Sequence, residues 1–338
     1  MPRLTTGAAA PKQTYAACSG CSLCLLVCPV WRHTRDLRYT PHGRAKALQH
    51  GATIADIAPS VSACTLCGAC EPVCPENIGL VDMALELRRA LPTSTITENL
   101  LTRMQTEKPR ELVIKSAAAT VLLSGMALSW NQVLLTRVRT SLGDMGGIAI
   151  ANDHGADIAL ALETGATVPP PRIERFLAPL RQHKTIVVAD GLLLRHLRAW
   201  LPAVEIVSLG AALSSRAPVR ARLRAGDLYV IEPRAYHADY ENLVTHYDKL
   251  RAETGCAMNL DLQRIAIPTT VSSMPRRFGW ETAADHEQLL WLLKGRNVSR
   301  IVIENEEDRS TFERSCTIPI VHVAELMADE IPPAGTPS

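Results

Sequence analysis

The sequence predicts an α+β multidomain protein in which an α-helical N-terminal domain precedes a tandem α/β body with two similar halves. Three observations support this fold class: two cysteine-rich blocks near the N-terminus, a change to strand–helix alternation near residue 146, and an internal repeat beyond it. Strands that alternate with helices are typical of α/β layers. At 338 residues, the chain is long enough for two or three domains.

The N-terminal domain is organised around two near-identical cysteine blocks. Residues 18–29 read CSGCSLCLLVCP, and residues 64–75 read CTLCGACEPVCP. Both follow the spacing C-x2-C-x2-C-x3-C-P, which is the run of bacterial two-cluster ferredoxins. Three thiolates on one tight loop can bind three irons of a cubane, and the fourth iron needs a thiolate from elsewhere. The blocks therefore predict two [4Fe–4S] clusters.

The spacing also predicts which cysteines share a cluster, because the fourth cysteine of each run ligates the other cluster in two-cluster proteins. The predicted ligands of cluster 1 are Cys18, Cys21, Cys24 and Cys74. The predicted ligands of cluster 2 are Cys64, Cys67, Cys70 and Cys28. The alternatives are a pair of structural zinc sites and a disulfide framework. A zinc site also uses four thiolates, but it does not require a third cysteine at the same x2 spacing followed by x3-C-P.

Residues 1–15 are predicted to be a flexible tail, and residues 16–92 a mostly helical cluster domain. Residues 45–50 favour a helix by propensity. After the second block, apolar residues recur at helical spacing and end before Pro92, which predicts a helix with one apolar face. These residues are Leu80, Met83, Ala84, Leu87 and Leu91.

The two blocks, with YTPHGR at 39–44 between them and LELRR at 85–89 after them, resemble a known helical two-cluster domain. It occurs in the iron–sulfur subunits of glycolate oxidase, anaerobic glycerol-3-phosphate dehydrogenase, lactate-utilisation proteins and heterodisulfide reductase. The resemblance covers residues 16–92. It implies an electron-transfer domain that takes electrons from a flavin-bearing or similar partner and passes them on. His42 stands where the family commonly has arginine, and an N–H donor directed at a cluster would raise its reduction potential.

Residues 93–145 are predicted to form a helical connector. Its most apolar run, Ser116–Trp130, is too short to span a membrane. We predict a buried helix there, with an interfacial anchor as the alternative.

Residues 146–330 are predicted to form the α/β body, with halves at about 146–215 and 216–330, before a tail at 331–338. A strand–helix–proline–strand unit near residues 186–206 recurs near 301–320. The predicted strands are Ile148–Ile150, Ile186–Val188, Glu205–Val207, Leu228–Ile231, Arg264–Ile267, Ile301–Ile303 and Ile318–Val321.

In the resembling family, the body carries Cys-Cys-Gly motifs, which hold further clusters in heterodisulfide reductase. The equivalent positions here carry no cysteine; they are 190–193, 232–235, 272–274 and 304–307. Cys256 and Cys316 are predicted to be inert thiols, with a redox disulfide or a catalytic cysteine as the alternative. The departure favours a docking role for the body over catalysis, and no catalytic residue is assigned.

Other polar residues have two interpretations each. His237 and His246 could form a metal or proton-transfer site, or they could be surface or capping residues. The arginines after the first block could be a solvated helix face or a basic rim that steers an acidic partner. Those arginines are Arg32, Arg35 and Arg38, and the pair Arg276–Arg277 is interpreted in the same way.

The predicted function is an electron-transfer subunit. It would relay electrons between a flavoprotein or other oxidoreductase subunit and a further acceptor, such as another iron–sulfur protein or a quinone-linked protein. The net charge of +2 and the 4% aromatic content do not indicate nucleic-acid binding. The chain has no nucleotide-binding glycine motif, so no bound flavin or nucleotide is expected. No export signal is recognisable, so a cytoplasmic location is expected, with any membrane association through partners. The alternatives are a catalytic heterodisulfide-reductase-like or quinone-reactive subunit, and a structural or redox-sensing module.

Overall fold

The computed structural model describes residues 12–92, 98–99, 101–102, 114, 118–143, 147–262, 264–269 and 283–327. The described elements of the N-terminal domain are mainly helices, as predicted. They are α1 (Pro29–Thr34), α2 (Pro41–Gln49), α3 (Ala58–Ala63) and α4 (Leu80–Arg89), with short 3-10 turns at Tyr15–Ala17, Leu23–Leu25 and Leu37–Tyr39. Proline occupies the first turn of α1, α2 and α3, where a missing N–H breaks no helical hydrogen bond. The predicted apolar face of α4 is confirmed, since Leu80, Met83, Ala84 and Leu87 are buried.

The predicted flexible tail is wrong for its last residues. The amide of Gln13 donates to the carbonyl of Asn77 at 2.9 Å, and the amide of Gly79 donates to the carbonyl of Gln13 at 3.1 Å. Lys12 forms an ion pair with Glu71 at 2.7 Å. The segment is held by backbone pairing, which leaves no apolar pattern in the sequence. Residues 1–11 and 328–338 lie outside the described residues.

The first half of the body contains a parallel sheet in the order β2-β1-β3-β4. Its strands are β1 (Thr120–Leu123), β2 (Ile148–Ile150), β3 (Thr185–Val188) and β4 (Glu205–Ser208). Its helices are α5 (Gly125–Trp130), α6 (Gln132–Leu142), α7 (Ala156–Thr164), α8 (Pro170–Leu180), α9 (Gly191–Trp200), α10 (Leu209–Ser214) and α11 (Ala217–Arg222).

Strand β1 corrects the prediction of one buried helix over Ser116–Trp130 and of a purely helical connector over 93–145. All four residues of β1 are buried, and the strand pairs with both β2 and β3. A strand that is buried on both faces has no alternating pattern, so a short apolar run does not separate it from a buried helix. The first sheet therefore begins before residue 146.

The second half contains a parallel sheet in the order β10-β9-β5-β6 and a small antiparallel pair of β7 with β8. Its strands are β5 (Asp227–Val230), β6 (Ala257–Met258), β7 (Leu260–Asp261), β8 (Ile265–Ala266), β9 (Arg300–Ile303) and β10 (Ile320–His322). Its helices are α12 (Pro233–Ala238), α13 (Tyr240–Thr254), α14 (Ala283–Leu293) and α15 (Arg309–Ser315), with 3-10 turns at Glu306–Asp308 and Val323–Met327.

The predicted strands and the internal repeat are confirmed. Each predicted strand has an observed counterpart, although Arg264–Ile267 forms part of the small antiparallel pair. The two copies of the repeat pair in the same way, because β3 lies parallel to β4 and β9 lies parallel to β10. Within the described ranges, no helix is both long and apolar enough to cross a membrane.

The apolar cores connect the N-terminal domain to both halves of the body. Leu66 and Leu85 share a core with Val121 of the first sheet. Val27 and Cys67 share a core with residues of the second sheet, including Leu228. The second cysteine block therefore lies where the domain and the body meet.

Candidate iron–sulfur site

The two C-x2-C-x2-C segments share a pattern of positive φ angles. We name them loop 1 (Cys18–Cys24) and loop 2 (Cys64–Cys70). In each, the residues directly before and after the middle cysteine have positive φ: Gly20 (+87°) and Ser22 (+64°) in loop 1, Leu66 (+55°) and Gly68 (+78°) in loop 2. Positive φ is uncommon for a residue with a side chain, so the turn is imposed by its setting. Turns that combine left-handed and right-handed residues form concave N–H nests, which occur at many iron–sulfur sites.

The predicted ligands of cluster 2 line one cavity. Cys28, Cys64, Cys67 and Cys70 surround a space of about 380 Å³, together with side chains from α2 and α4. Burial, with a smaller contribution from nearby thiols, raises the pKa of Cys28 to about 11 and that of Cys67 to about 12. Four soft sulfur donors around an apolar cavity fit an iron–sulfur cluster, whose binding must displace the thiol protons.

The predicted ligands of cluster 1 are also neighbours. Burial raises the pKa of Cys24 to about 11, and the thiols of Cys18, Cys21 and Cys74 add to the shift. Cys74 therefore lies with loop 1 although it belongs to the second block, just as Cys28 lies with loop 2. Cys21 is exposed, whereas Cys18, Cys24 and Cys74 are half-buried.

Helix α2 holds loop 1 from within the N-terminal domain. The Lys46 ammonium donates to the carbonyl of Cys18 at 2.8 Å, and the Gln49 amide donates to the same carbonyl at 3.1 Å. Nδ1 of His42 lies 3.3 Å from Oγ of Ser22. The backbone amide of His42 stabilises the thiolate form of Cys24. Burial and the Lys46 charge lower the pKa of the His42 imidazole.

Loop 2 is held by α4 and by helix α12 of the body. Arg88 on α4 donates to the carbonyl of Cys64. From α12, Arg234 donates to the carbonyl of Thr65 at 2.9 Å, and Nδ1 of His237 lies 2.7 Å from the carbonyl of Cys67. Sequence reasoning missed these contacts. Arg88 nevertheless carries a signal, because a charge at i+7 from Val81 falls in the apolar stripe of α4.

The two candidate histidines have separate partners. His237 is buried and packs against Gly68, where an added Cβ would lie 2.8 Å from the His237 Cβ. A carbonyl can only accept a hydrogen bond, so Nδ1 of His237 carries the proton. Nε2 of His246 lies 2.8 Å from Oγ of Ser214. Burial lowers the pKa of both imidazoles to about 4, so both are neutral at pH 7.

The arginines after the first block differ in their settings. Arg32 pairs with Asp261 of the body, and its guanidinium lies 4.0 Å from the ring centroid of Trp291. Arg38 pairs with Asp36 at the surface. Arg35 ends α1 with a positive φ of +53°. Arg32 therefore joins the domain to the body, a role that neither sequence-based interpretation included. Arg276 and Arg277 lie outside the described residues.

A cleft of about 870 Å³ lies beside loop 2, at the carboxyl ends of the strands of both halves. Open α/β sheets commonly bind ligands at this edge. Residues from three of the four positions compared with the cysteine motifs of the resembling family line the cleft, namely 190–191, 232–234 and 304–307, and Thr65 and Cys67 line it as well. Two of its side chains, Glu232 and Glu304, are buried, and burial raises their pKa to about 8 and about 7 respectively.

The polar groups of the cleft have structural partners. The carboxylate of Asp190 caps α9, and that of Glu232 caps α12. Glu304 accepts hydrogen bonds from the hydroxyls of Tyr229 and Tyr247 at 2.7 and 2.6 Å. Residues 272–274, a further family cysteine position, lie outside the described residues.

Each of the two remaining cysteines forms its hydrogen bond with a residue close to it in the sequence. Cys256 is buried beside the hydroxyl of Thr254, and burial raises its pKa. The thiol of half-buried Cys316 donates to the carbonyl of Phe312 at 3.4 Å.

Comparison with known proteins identifies the N-terminal region. Residues 14–78 match the model of the 4Fe-4S dicluster domain family. This match covers both cysteine blocks and supports bound iron–sulfur clusters and a role in electron transfer. Neither the curated proteins nor the solved structures give a match to the chain.

Proposed function

We propose that this chain is the electron-transfer iron–sulfur subunit of an oxidoreductase complex. Cys18, Cys21, Cys24 and Cys74 would hold one [4Fe–4S] cluster, and Cys28, Cys64, Cys67 and Cys70 the other. When bound, the clusters supply one-electron redox chemistry. The observation that carries the proposal is the cavity that Cys28 shares with the three cysteines of loop 2. If Cys28 lay away from loop 2, the four cysteines of the first block could have formed a site of their own.

The chain's own residues would keep the two loops in a binding-competent shape. Hydrogen bonds to the carbonyls of Cys18, Cys64 and Cys67 turn those oxygens toward protein donors. The backbone amides of Ala69 and His42 favour the thiolates of Cys67 and Cys24. Apolar packing around loop 2 keeps water away from one site, while Cys21 leaves the other close to the surface.

Single Cys→Ser variants test the ligand assignment. After anaerobic reconstitution, the parent chain should bind about eight irons, as expected for two four-iron clusters. Cys28→Ser should remove the same reduced-state EPR signal as Cys64→Ser, and Cys74→Ser should remove the same signal as Cys18→Ser. Cys256→Ser is the matched control and should keep both signals. If Cys28→Ser and Cys18→Ser removed the same signal, the exchange of fourth cysteines would be wrong.

The partner is proposed to be a flavoprotein or a similar oxidoreductase subunit, with the α/β body as a docking platform and an iron–sulfur or quinone-linked protein as the further acceptor. An anaerobic pull-down of the tagged native protein tests this. Flavin released from a stoichiometric partner would support the proposal. A brown protein that arrives alone would favour a free-standing carrier or a redox sensor.

A catalytic subunit of heterodisulfide-reductase-like or quinone-reactive type is the second candidate. It is favoured by the cleft beside loop 2, which Cys67 lines together with strand ends of both halves. Iron content separates the candidates, because a third four-iron cluster would raise the total from about eight to about twelve irons per chain.

A further inference from the structure

Arg44 on α2 has an unusual environment for an arginine. It is 1% exposed, and its Nη1 donates to the carbonyls of Tyr39 and Ser60 and to the hydroxyl of Ser60. Its Nε is buried and has no hydrogen-bond partner among the described residues. Buried N–H groups are nearly always paired, so an unpaired one suggests a missing partner. Arg44 lines the same cavity as Cys28, Cys64, Cys67 and Cys70.

Arg88 on α4 is a second buried arginine that contacts loop 2. It is 4% exposed, and its guanidinium donates to the backbone carbonyls of Val61, Ser62, Cys64 and Glu163. The carboxylate of Glu163 is engaged by Arg234 at 2.8 Å. In the part of the chain that the structure describes, neither Arg44 nor Arg88 forms an ion pair with a carboxylate. Buried charges are normally compensated by an opposite charge. Arg44 in the cavity wall, and Arg88 bonded to the carbonyl of Cys64, therefore indicate an anionic occupant.

The surroundings of the two loops are therefore unequal. The cationic group at loop 1 is Lys46, a half-buried residue whose ammonium bonds Cys18 and the Gln49 side chain. Exposed Cys21 gives water access to that side, and water screens charge. At loop 2, the guanidinium groups of Arg44 and Arg88 are buried, and a charge has a larger effect in a buried setting than in water.

We propose that Arg44 donates its free Nε–H to the cluster held by Cys28, Cys64, Cys67 and Cys70, and that Arg44 and Arg88 give this cluster the higher reduction potential of the two. The proposal rests on the cluster assignment made above. The gain of one electron makes the cluster more negative, and a nearby positive charge or N–H donor stabilises that state. Electrons delivered by the partner would then move from the exposed loop 1 side to the buried loop 2 side.

The direct test uses the parent protein with 15N-labelled arginine, in which each cluster is reduced by dithionite and measured by pulsed EPR. Coupling between one reduced cluster and an arginine 15N is expected, and it should disappear in Arg44→Lys. No arginine coupling at either cluster would overturn the proposed hydrogen bond. Two reducible clusters in the parent protein are checked first, because their absence would contradict the proposed function instead.

The potential is tested by EPR-monitored redox titration of Arg44→Gln, Arg44→Lys and the matched control Lys46→Gln. Arg44→Gln should lower the potential of the cluster that shows the coupling and leave the other unchanged, and Arg44→Lys should lower it less because the charge is kept. Lys46→Gln should shift the other cluster only. Equal shifts of both clusters, or no shift, would overturn the proposal. If Arg44→Gln lost iron, Arg88→Lys and Arg88→Gln would decide the question in the same titration.

Discussion

Replacing Arg234 by methionine tests how strongly the α/β body is joined to loop 2. Arg234 donates to the carbonyl of Thr65 at 2.9 and 3.2 Å, and it forms an ion pair with Glu163 at 2.8 Å. The Glu163 side chain is fully buried, and the Arg234 side chain is 12% exposed. The substitution removes the guanidinium and leaves a carboxylate in an apolar setting.

The size of the effect follows from this burial. Removing one partner of a buried ion pair costs about 3–5 kcal/mol. Arg88 contacts the backbone carbonyl of Glu163 and offsets part of the charge, so we expect the lower end, about 3 kcal/mol. At about 1.4 °C per kcal/mol for a chain of 338 residues, the Tm should fall by about 4 °C. The double variant Arg234→Met/Glu163→Gln should recover most of this loss, because no charge is then left unpaired.

The assay is calorimetry of anaerobic protein with equal iron content in every sample, because bound clusters themselves raise the Tm. Arg181→Met is the control: its ion pair with Glu174 leaves the two side chains 46% and 60% exposed, and exposed pairs contribute little. If Arg234→Met melted at the same temperature as the Arg181→Met control, Arg234 would not stabilise the contact with loop 2. If the double variant melted no higher than the single one, the unpaired Glu163 charge would not be the cause of the loss.

Three further outcomes follow from the structure. Gly68→Ala should lower the Tm more than Gly51→Ala. Both positions have positive φ, but of the two only Gly68 would place the new Cβ against another residue, 2.8 Å from the His237 Cβ. Equal losses of Tm in calorimetry would show that the His237 contact does not matter. Glu304 has a folded pKa of about 7 against an unfolded value of about 4.3, so between these pH values the native state keeps a proton that the unfolded state has lost. The free energy of unfolding should therefore fall as pH rises from about 4.3 to about 7. Glu304→Gln should flatten this dependence in urea denaturation, and an unchanged slope would contradict the assignment. A chelator should remove iron in two phases, with the fast phase from the cluster beside exposed Cys21, and single-phase loss seen by EPR would argue against unequal access.

Much of the fold follows from patterns within the chain. The apolar stripe of α4 and the strands of the body are visible as local periodicity or as short β-branched runs. Strand β1 was missed because burial on both faces removes its alternation, so Thr120–Leu123 has the same apolar composition as a buried helix. Segment 12–15 was missed because backbone hydrogen bonds to residues 77–79 leave no trace in side-chain type.

The proposed cluster ligands follow from cysteine spacing, but the groups around them do not. His237 and Cys67 are 170 positions apart, and Arg234 and Thr65 are 169 apart. Contacts at such separations depend on how the domain packs on the body, which no local pattern records. The position of Arg88 in the apolar stripe of α4 gives a signal in the sequence, whereas Arg44 is distinguished only by its burial and its neutral hydrogen-bond partners.

The distribution of contacts between the domain and the body argues that the body does more than offer a docking surface. A domain that served only for docking could pack anywhere on the N-terminal domain. Side chains of the body nevertheless contact the second cysteine block. Arg234 and His237 bond loop 2, and Arg195 on α9 pairs with Glu71, which lies between Cys70 and Cys74. The residues after β5, where the resembling family has a cysteine-containing turn, are among those that bond the loop. Arg234 and His237 of the body therefore lie beside loop 2, where their side chains contribute to the surroundings of the second cysteine block.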